Sequence, residues 1–338
     1  MQPGMTREYI EDAMARIVAE HGAWTAHNVS LGEGVFTLGA DRPYLKLQRL
    51  LQTAADVCGR PLGELRVLDL ACLEGGFAIE FARHGATVVG IEGRAANLAK
   101  AVFARDVLGL DRLTFELGDV RDLSAERHGM FDIVICAGIL YHLDAPDVFA
   151  FVERIAEVCS RLAIVDTSLS LRPLESRDYK GRTYWGRSFP EHEADMSAEK
   201  RAANLWGSLS DTSSFWITRA SLLNLLRDAG FTSVMEVLNP ALPGQLSDRT
   251  VLAAIKGTRQ TIHATPSTNT IPFRDWSEHE RPGHDPMQRT TYRLEKRLTH
   301  MVPVGVRRAV KSALQGVGLK KQGAAPWEWS APWKRRAR

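Results

Sequence analysis

Residues 67–94 have the sequence VLDLACLEGGFAIEFARHGATVVGIEGR, and the order of residue types in this stretch decides the fold. A short apolar run leads into a turn with Gly75 and Gly76, then a segment of helical pattern, then a second apolar run that ends at Glu92. Small residues in such a turn let the backbone approach a ligand closely. An acid that ends the second strand, 23 residues after Asp69, can accept hydrogen bonds from both hydroxyls of a ribose. The stretch therefore predicts a strand–turn–helix–strand unit that binds a nucleoside.

Apolar runs and helical patterns continue to alternate on the C-terminal side of this stretch. Further strands are predicted at 113–119, 131–138 and 162–168. Alternation at this spacing is typical of a parallel sheet with helices on both faces. Two more apolar runs, 231–238 and 249–257, are joined only by a turn-rich link, so we expect them to pair antiparallel at one edge. The prediction is an α/β fold with a Rossmann-like, mostly parallel sheet of seven strands and an antiparallel edge hairpin.

The regions around this sheet predict three parts of the chain. Residues 1–60 form an N-terminal addition with a helix, a hairpin and a second helix. Residues 61–257 form the nucleoside-binding domain, with an irregular insertion at about 169–215 that we expect to act as a lid on the acceptor pocket. Residues 258–338 form a basic C-terminal extension, with helical periodicity at 288–318.

Charge is unevenly distributed over the 338 residues. From residue 286 onward there are 13 Lys/Arg and 2 Asp/Glu, a net charge of +11, so with +3 overall the rest of the chain carries −8. An acidic body argues against nucleic acid as a partner, without excluding it. Basic helical faces followed by three tryptophans suit an anionic membrane surface, and a solvated helix packed on the body is the alternative.

The same composition bears on localisation and metal binding. The sequence has no uncharged apolar run of about 18 residues, which a membrane helix needs, and its N-terminus lacks the apolar core of a signal peptide. The four cysteines show no metal-ligand spacing, and three lie in or beside apolar runs, where a reduced thiol packs as a small hydrophobe. We therefore expect a cytoplasmic protein without a metal site, peripheral at the membrane if the basic tail contacts it.

Over about residues 40–257 the sequence resembles the class I S-adenosylmethionine-dependent methyltransferases. Their first motif, D-x-G-x-G-x-G, corresponds to residues 69–75, where Ala71 and Leu73 replace the first two glycines and Gly75 keeps the third. The resemblance implies S-adenosylmethionine as the cofactor and a Leu73 side chain that points away from it. The residues implied to bind the cofactor in this region are Asp69, Ala71, Cys72 (through its backbone), Gly75, Gly76 and Glu92.

The resemblance continues after the third and fourth strands. Asp119, followed by Val120, falls where the family's acid contacts the adenine amino group, although Asp is also a common helix N-cap. Gly138 ends the fourth strand, at the sheet edge where ligands bind in such folds. These positions imply further cofactor contacts by Asp119, Val120 and Gly138.

The catalytic candidates follow from the same resemblance, which places Tyr141 and His142 near the sulfonium group. An aromatic ring beside a cation gains from cation–π attraction, and a histidine can take a proton from a hydroxyl at neutral pH. Asp166 ends the fifth strand at the same edge, where it would assist the base or orient the acceptor. The alternative for the Tyr-His pair is a packing role in the fold.

A closer resemblance is to the tRNA wobble-uridine carboxymethyltransferases and their uncharacterised relatives. It rests on ILYHLDAPDVFAFVERI (139–155) and SFWITRASLLNLLRDAGF (214–231). It implies that Lys46, Tyr141 and Arg249 bind the extra carboxylate of a carboxylated S-adenosylmethionine. The alternatives are a solvent-facing Lys46 and an Arg249 that pairs with Asp248 or with another acid at the sheet edge.

These observations favour methyl transfer from S-adenosylmethionine, at an oxygen of a small molecule or glycan. Two alternatives stay open: carboxymethyl transfer from the carboxylated cofactor, with tRNA as an acceptor, and a cofactor-binding scaffold without catalysis. His192 lies between two acids, but no other ligand has recognisable spacing, so a solvated loop is preferred there to a metal site.

Overall fold

A computed structural model describes residues 5–193, 195–241 and 248–271 of the chain. All of them belong to the first of the two compact units into which the chain divides, Met1–Pro282. The predicted basic tail at 288–338 lies outside the described residues. The proposed boundaries of the three parts of the chain therefore stay predictions.

The central sheet has seven strands, which are β3 Arg66–Leu70, β4 Thr87–Glu92, β5 Leu113–Leu117, β6 Phe131–Ala137, β7 Cys159–Ser168, β11 Ser233–Glu236 and β12 Arg249–Ile255. Their order across the sheet is β11-β12-β7-β6-β3-β4-β5. Strands β3 to β7 are parallel, whereas β12 pairs antiparallel with both β7 and β11. The predicted Rossmann-like sheet with an antiparallel edge hairpin is thus confirmed.

Helices cover both faces of this sheet because both faces are apolar. The helices are α1 Arg7–His21, α2 Leu45–Cys58, α3 Gly76–Arg83, α4 Ala95–Leu108, α5 Ala125–His128, α6 Asp147–Val158, α7 Ala198–Ala203 and α8 Arg219–Asp228. Val67 and Ile133 pack in one hydrophobic core with α1 to α4, and the adjacent Leu68 and Val134 pack in the other with α6 and α8. Strands buried on both faces read as nearly continuous apolar runs. None of the helices in the described ranges has both the length and the apolar character of a membrane span.

The N-terminal addition has the predicted helix and hairpin. Thr6 caps α1 by accepting a hydrogen bond from the Tyr9 amide. Strands β1 (Ser30–Gly32) and β2 (Val35–Phe36) form the two-stranded hairpin. Helix α2 ends at Gly59, whose φ of 61° is the left-handed conformation that glycine adopts easily at a helix C-terminus.

The expectation of an irregular segment at 169–215 is wrong. This region contains β8 (Glu175–Tyr179) and β9 (Arg182–Pro190), which form a three-stranded antiparallel sheet with β10 (Ser213–Ile217). Tyr184 is buried, whereas the neighbouring Trp185 and Arg187 are half-buried. A strand with one buried face gives only an alternating apolar pattern, and the Gly, Arg and Ser residues within β9 obscure it.

Candidate active site

A cavity of about 390 Å³ opens at the carboxyl edge of the central sheet. Its walls include residues after β3 to β6, residues 25–27 near the N-terminus, and residues 205–211 of the insertion. The parallel register explains why these residues meet, since Leu70 pairs with Ile91 and Cys136, and Ala137 pairs with Asp166. The predicted site residues that line it are Lys46, Ala71, Glu92, Asp119, Val120, Gly138, Tyr141, His142 and Arg249. Five others lie behind this wall: Asp69, Cys72, Gly75, Gly76 and Asp166.

The loop after β3 keeps the backbone shape of a glycine-rich turn with only one of the three motif glycines. Ala71, Leu73 and Gly75 have φ values of 53°, 49° and 76°. Non-glycine residues adopt this left-handed conformation uncommonly. Leu73 also lines the cavity, and the orientation of its side chain away from the cofactor stays a prediction.

Gly75 and Gly76 make room for protein side chains. A Cβ atom at Gly75 would lie 2.6 Å from the Phe115 ring, and one at Gly76 would lie 2.6 Å from the His27 ring. The Gly76 amide donates a hydrogen bond of 3.0 Å to Nδ1 of His27. Glycine is therefore needed at both positions because these side chains pack closely behind the loop.

Asp69 in β3 and Cys72 in the loop that follows are both buried. Asp69 accepts a hydrogen bond from the Ala78 amide at 3.1 Å, and burial raises the pKa of Asp69 to about 8. Burial likewise raises the pKa of the Cys72 thiol well above its ordinary value. Burial thus favours the neutral form of both side chains.

Glu92 presents a carboxylate to the cavity at the end of β4. One oxygen accepts a hydrogen bond from the Leu73 amide at 2.9 Å, and the other accepts one from the Arg94 amide at 2.9 Å. Burial raises the pKa of Glu92, while these hydrogen bonds oppose the rise. The two backbone amides therefore fix the orientation of the carboxylate.

Asp119 caps the short helical turn after β5, as the alternative interpretation allowed. It accepts a hydrogen bond from the Arg121 amide at 2.9 Å, and the Arg121 guanidinium approaches its carboxylate to 2.6 Å. Burial would raise the pKa of Asp119, but the hydrogen bonds from Arg121 outweigh it and lower the pKa. Its adenine contact stays a prediction.

His142 is paired with one of the two acids that flank His192, a contact that the sequence does not predict. Nδ1 of His142 lies 2.7 Å from Oε2 of Glu191, whose side chain is 2% exposed. Burial would raise the pKa of Glu191, but hydrogen bonds from His142, Ser214 and the Ser208 amide outweigh it, and the pKa is lowered. An ionised carboxylate only accepts hydrogen bonds, so Nδ1 of His142 carries a proton, and in the neutral ring the lone pair is on Nε2. The Tyr141 ring lies beside His142, at a centroid distance of 4.3 Å.

Asp166 has different partners from those expected. Its carboxylate forms ion pairs with Lys46 (Nζ–Oδ2 2.7 Å) and Arg249 (Nε–Oδ1 2.6 Å). The carboxylate that contacts His142 is Glu191, so Asp166 does not orient that ring directly. The Tyr141 hydroxyl lies 3.5 Å from Arg249. Lys46, Tyr141 and Arg249 thus converge around Asp166. The two cations and the carboxylate of Asp166 together carry a net charge of +1.

A second carboxylate missed in the sequence, Glu74, holds the N-terminal strap, which we define as residues 25–27. It accepts hydrogen bonds from the amides of Thr25 (2.6 Å), Ala26 (3.0 Å) and His27 (2.9 Å), and it pairs with Lys100 at 3.0 Å. Burial lowers the pKa of His27 to about 4, so its neutral ring can accept the amide hydrogen bond from the loop. Glu74 lies inside the motif, but its partners in the strap are 47 to 49 residues away in the sequence.

His192 is not in a solvated loop. It is buried, and its Nε2 lies 2.8 Å from the carbonyl oxygen of Ser208. Over the ranges that the structure describes, no group of three or more His, Cys, Asp or Glu side chains is arranged to hold a metal ion. The ring of His192 therefore acts as a structural hydrogen-bonding group.

Comparison with known proteins gives matches over the same region. Residues 67–161 match the family described as "Methyltransferase domain". The chain is 27% identical over 153 residues to the O-antigen chain terminator bifunctional methyltransferase/kinase WbdD of Escherichia coli, covering 44% of this chain and 20% of that protein. It is 31% identical over 117 residues to the ubiquinone biosynthesis O-methyltransferase of Azorhizobium caulinodans, covering 35% of this chain and 45% of that enzyme. The chain thus spans less than half of either relative.

Solved structures share the fold. The N-terminal domain of EvdMO1, crystallised in the presence of SAH and D-fucose, superposes with a TM-score of 0.58 at 23% identity. The match covers 77% of this chain and all of that domain. Residues 67–161 thus match a methyltransferase domain by sequence, and the sheet order and this likeness show that they lie in the same Rossmann-like fold.

Proposed function

We propose that the protein transfers a methyl group from S-adenosylmethionine to an oxygen of a small molecule or glycan. The observation that carries the proposal is one cavity with two different functional walls. Glu92 offers a fixed carboxylate to a ribose, and His142 offers a base held by Glu191. The cavity volume of about 390 Å³ lies within the range found for pockets that bind drug-sized molecules.

The residues present suit the cofactor. Carboxylates accept hydrogen bonds from vicinal hydroxyls, which fits Glu92. The cluster of Lys46, Asp166 and Arg249 has one positive charge in excess, which suits one carboxylate. Bound S-adenosylmethionine supplies an electrophilic methyl group on its sulfonium sulfur.

His142 would act on the acceptor. Its Nε2 would take the proton of the acceptor hydroxyl as that oxygen accepts the methyl group, which the cofactor would supply. Tyr141 lies against this ring, and its aromatic face would stabilise a sulfonium cation bound beside it. Glu191 stabilises the protonated ring by accepting the hydrogen bond from Nδ1.

The acceptor class is supported by the curated relatives. One is named for a role at the O-antigen chain and the other for ubiquinone biosynthesis. A glycan or small-molecule acceptor agrees with both names. It also agrees with the acidic charge of residues 1–285, which does not favour a polyanionic nucleic acid.

Calorimetry with S-adenosylmethionine and S-adenosylhomocysteine, followed by a screen of sugars and phenolic metabolites with methyl-labelled cofactor, tests the proposal. Micromolar cofactor binding together with label transfer to an oxygen is the expected result. Cofactor binding without transfer to any acceptor pool would favour the scaffold alternative. Absence of cofactor binding would refute both.

Carboxymethyl transfer is a second candidate, supported by the convergence of Lys46, Tyr141 and Arg249 in one wall. Asp166 neutralises one of the two cations there, so the remaining charge balances one carboxylate, whereas the carboxylated cofactor carries two. Mass spectrometry of the nucleoside that co-purifies distinguishes the two cofactors. If the carboxylated form is used, Arg249→Leu should remove the preference for it and spare binding of the ordinary form.

We also propose, from charge alone, that the basic tail contacts an anionic membrane surface. Removing residues 288–338 should abolish binding to vesicles that contain acidic phospholipid, with cofactor affinity unchanged. Vesicles of neutral phospholipid are the control. Full-length protein that ignores acidic vesicles at low salt would contradict this proposal.

A further inference from the structure

Residues 205–211, here named the cover segment, line the cavity from outside the central sheet. Arg94 fixes the cover segment from the nucleoside side. Its guanidinium donates hydrogen bonds to the carbonyl oxygens of Gly207 (3.0 Å) and Ser208 (3.3 Å), and also to that of Asn204 (2.9 Å). The amide of the same arginine donates to Glu92. The cover segment is therefore tied directly to the residue that we expect to bind the ribose.

A second arginine holds the other end of the cover segment. Arg121 donates to the Ser210 hydroxyl at 2.8 Å and to the Asp211 carboxylate at 3.2 Å. The same guanidinium holds Asp119. Both arginines thus connect the cover segment to the predicted cofactor contacts.

The opposite side of the cover segment contacts Glu191, which pairs with His142, and also contacts His192. The Ser208 amide donates a hydrogen bond of 2.8 Å to Oε2 of Glu191, the oxygen that also faces Nδ1 of His142. The Ser208 carbonyl accepts hydrogen bonds from Arg94 and lies 2.8 Å from His192. One residue, Ser208, therefore joins the nucleoside side of the cavity to the His142–Glu191 pair.

From these contacts we infer that Glu191 is the positioning residue for His142, and that closure of the cover segment over the cofactor sets the orientation of the base. The inference rests on the proposed function. In the closed arrangement Glu191 has a donor on each side, because Ser214 donates to its other oxygen at 2.6 Å. If the cover segment moves away, Oε2 loses the Ser208 amide, and water can compete with His142 for the carboxylate. The base would then be ordered only when the cofactor is enclosed.

The position of the proton on the His142 ring shows directly whether Glu191 orients that ring. Nitrogen NMR of protein with labelled histidine rings, saturated with S-adenosylhomocysteine, should show one Nδ1–H tautomer for His142. The signals of His142 are those missing from His142→Gln. In Glu191→Gln the single tautomer should be lost, because an amide can donate or accept a hydrogen bond. Glu193→Gln, an exposed glutamate two residues away, should keep it.

A second variant tests the link through the cover segment without altering Glu191. Arg94→Met should bind S-adenosylhomocysteine about 10-fold more weakly, since hydrogen bonds from a charged group are lost. At saturation it should still lose the single tautomer of His142. Arg105→Met, in the helix that Arg94 precedes, is the control, because the Arg105 guanidinium pairs with Asp106.

Three outcomes decide the inference. Loss of the single tautomer in both Glu191→Gln and Arg94→Met, with both controls unchanged, supports it. An unchanged tautomer in either variant at saturating S-adenosylhomocysteine overturns it, even where calorimetry shows tight binding. If the unmodified protein gives no binding heat, the proposed function fails, and the inference fails with it. Circular dichroism shows whether a variant is folded. If Glu191→Gln does not fold, the tautomer of His142 in Arg94→Met tests the inference by itself.

Discussion

Replacing Glu74 by glutamine should destabilise the fold strongly, although the side chain keeps its size. Glu74 and Lys100 are each 1% exposed at the side chain, and their charged groups lie 3.0 Å apart. Breaking a buried ion pair by removing one partner typically costs about 3–5 kcal/mol. The glutamine nitrogen would also face the Ala26 and His27 amides, which donate to Oε2 of Glu74 at 3.0 and 2.9 Å. We therefore expect a loss of about 4 kcal/mol or more in the free energy of unfolding.

Urea unfolding at pH 7 measures this loss, and a double-mutant cycle with Lys100→Met assigns it to the pair. The double variant should be more stable than the sum of the single effects by about 1–3 kcal/mol, because no charge is then left buried alone. Arg105→Met provides a matched change on the same helix and should alter stability little.

The stability difference should also depend on pH. Burial would raise the pKa of Glu74, but hydrogen bonds from the strap amides and Lys100 outweigh it and lower the pKa. A depressed carboxylate pKa stabilises the native state above the unfolded pKa, and this stabilisation is lost as pH falls through the folded pKa. The difference in stability between the unmodified protein and the Glu74→Gln variant should therefore shrink below about pH 4.5. A loss under 1 kcal/mol at pH 7, or no coupling to Lys100, would refute the reasoning.

Three further predictions concern the cavity and its loop. Glu92→Ala should weaken S-adenosylmethionine binding by about 2–4 kcal/mol in calorimetry, and an unchanged Kd would exclude Glu92 as a ribose ligand. His142→Ala should lower turnover by about 10²–10⁴-fold with nearly unchanged cofactor affinity once an acceptor is known, and full turnover would remove it from the mechanism. Burial raises the pKa of Asp69 to about 8, whereas the unfolded chain releases this proton near pH ~4. Because the native state then binds one proton more than the unfolded state, Asp69 lowers the free energy of unfolding as pH rises from about 4 to about 8. Asp69→Asn should remove up to about 1.4 kcal/mol of that fall per pH unit, and parallel stability curves for the two proteins from pH 5 to 8 would contradict it.

The sheet could be predicted because its information is local. Val67 to Leu70 and Phe131 to Ala137 are apolar over almost their whole length, and each is followed by turn residues at the ligand-binding edge. The acid at Glu92 could be placed for the same reason, since its strand and its loop partner Leu73 lie within 19 residues. Periodicity and turn chemistry act over this range.

The two carboxylates that organise the cavity could not be found in this way. Glu74 binds the strap, and Glu191 binds His142, in both cases across 47 to 49 residues of sequence. Nothing near either residue shows which distant group it meets. Its position at the sheet edge predicts that Asp166 assists the base or orients the acceptor, but its carboxylate pairs with Lys46 from α2 and with Arg249 from β12, as the edge-acid alternative for Arg249 allowed. Tertiary contacts between charged groups decide such pairings, and a single sequence does not contain them.

These long-range contacts share an arrangement that bears on how the cavity works. The strap and the cover segment both lie outside the central sheet, and each is held by a buried glutamate that accepts backbone amides. Glu74 has Lys100 as its fixed counter-charge, so its hold on the strap does not depend on a ligand. Glu191 has His142 instead, whose charge changes when it takes a proton. The hydrogen bonds from the strap to Glu74 should therefore persist without a ligand. The hydrogen bond from the cover segment to Glu191 should instead vary in strength with the protonation of His142. Hydrogen exchange should then show lasting protection of the Ala26 and His27 amides, whereas the Ser208 amide should gain protection when S-adenosylhomocysteine binds. Equal protection of the two segments with and without that ligand would contradict this distinction.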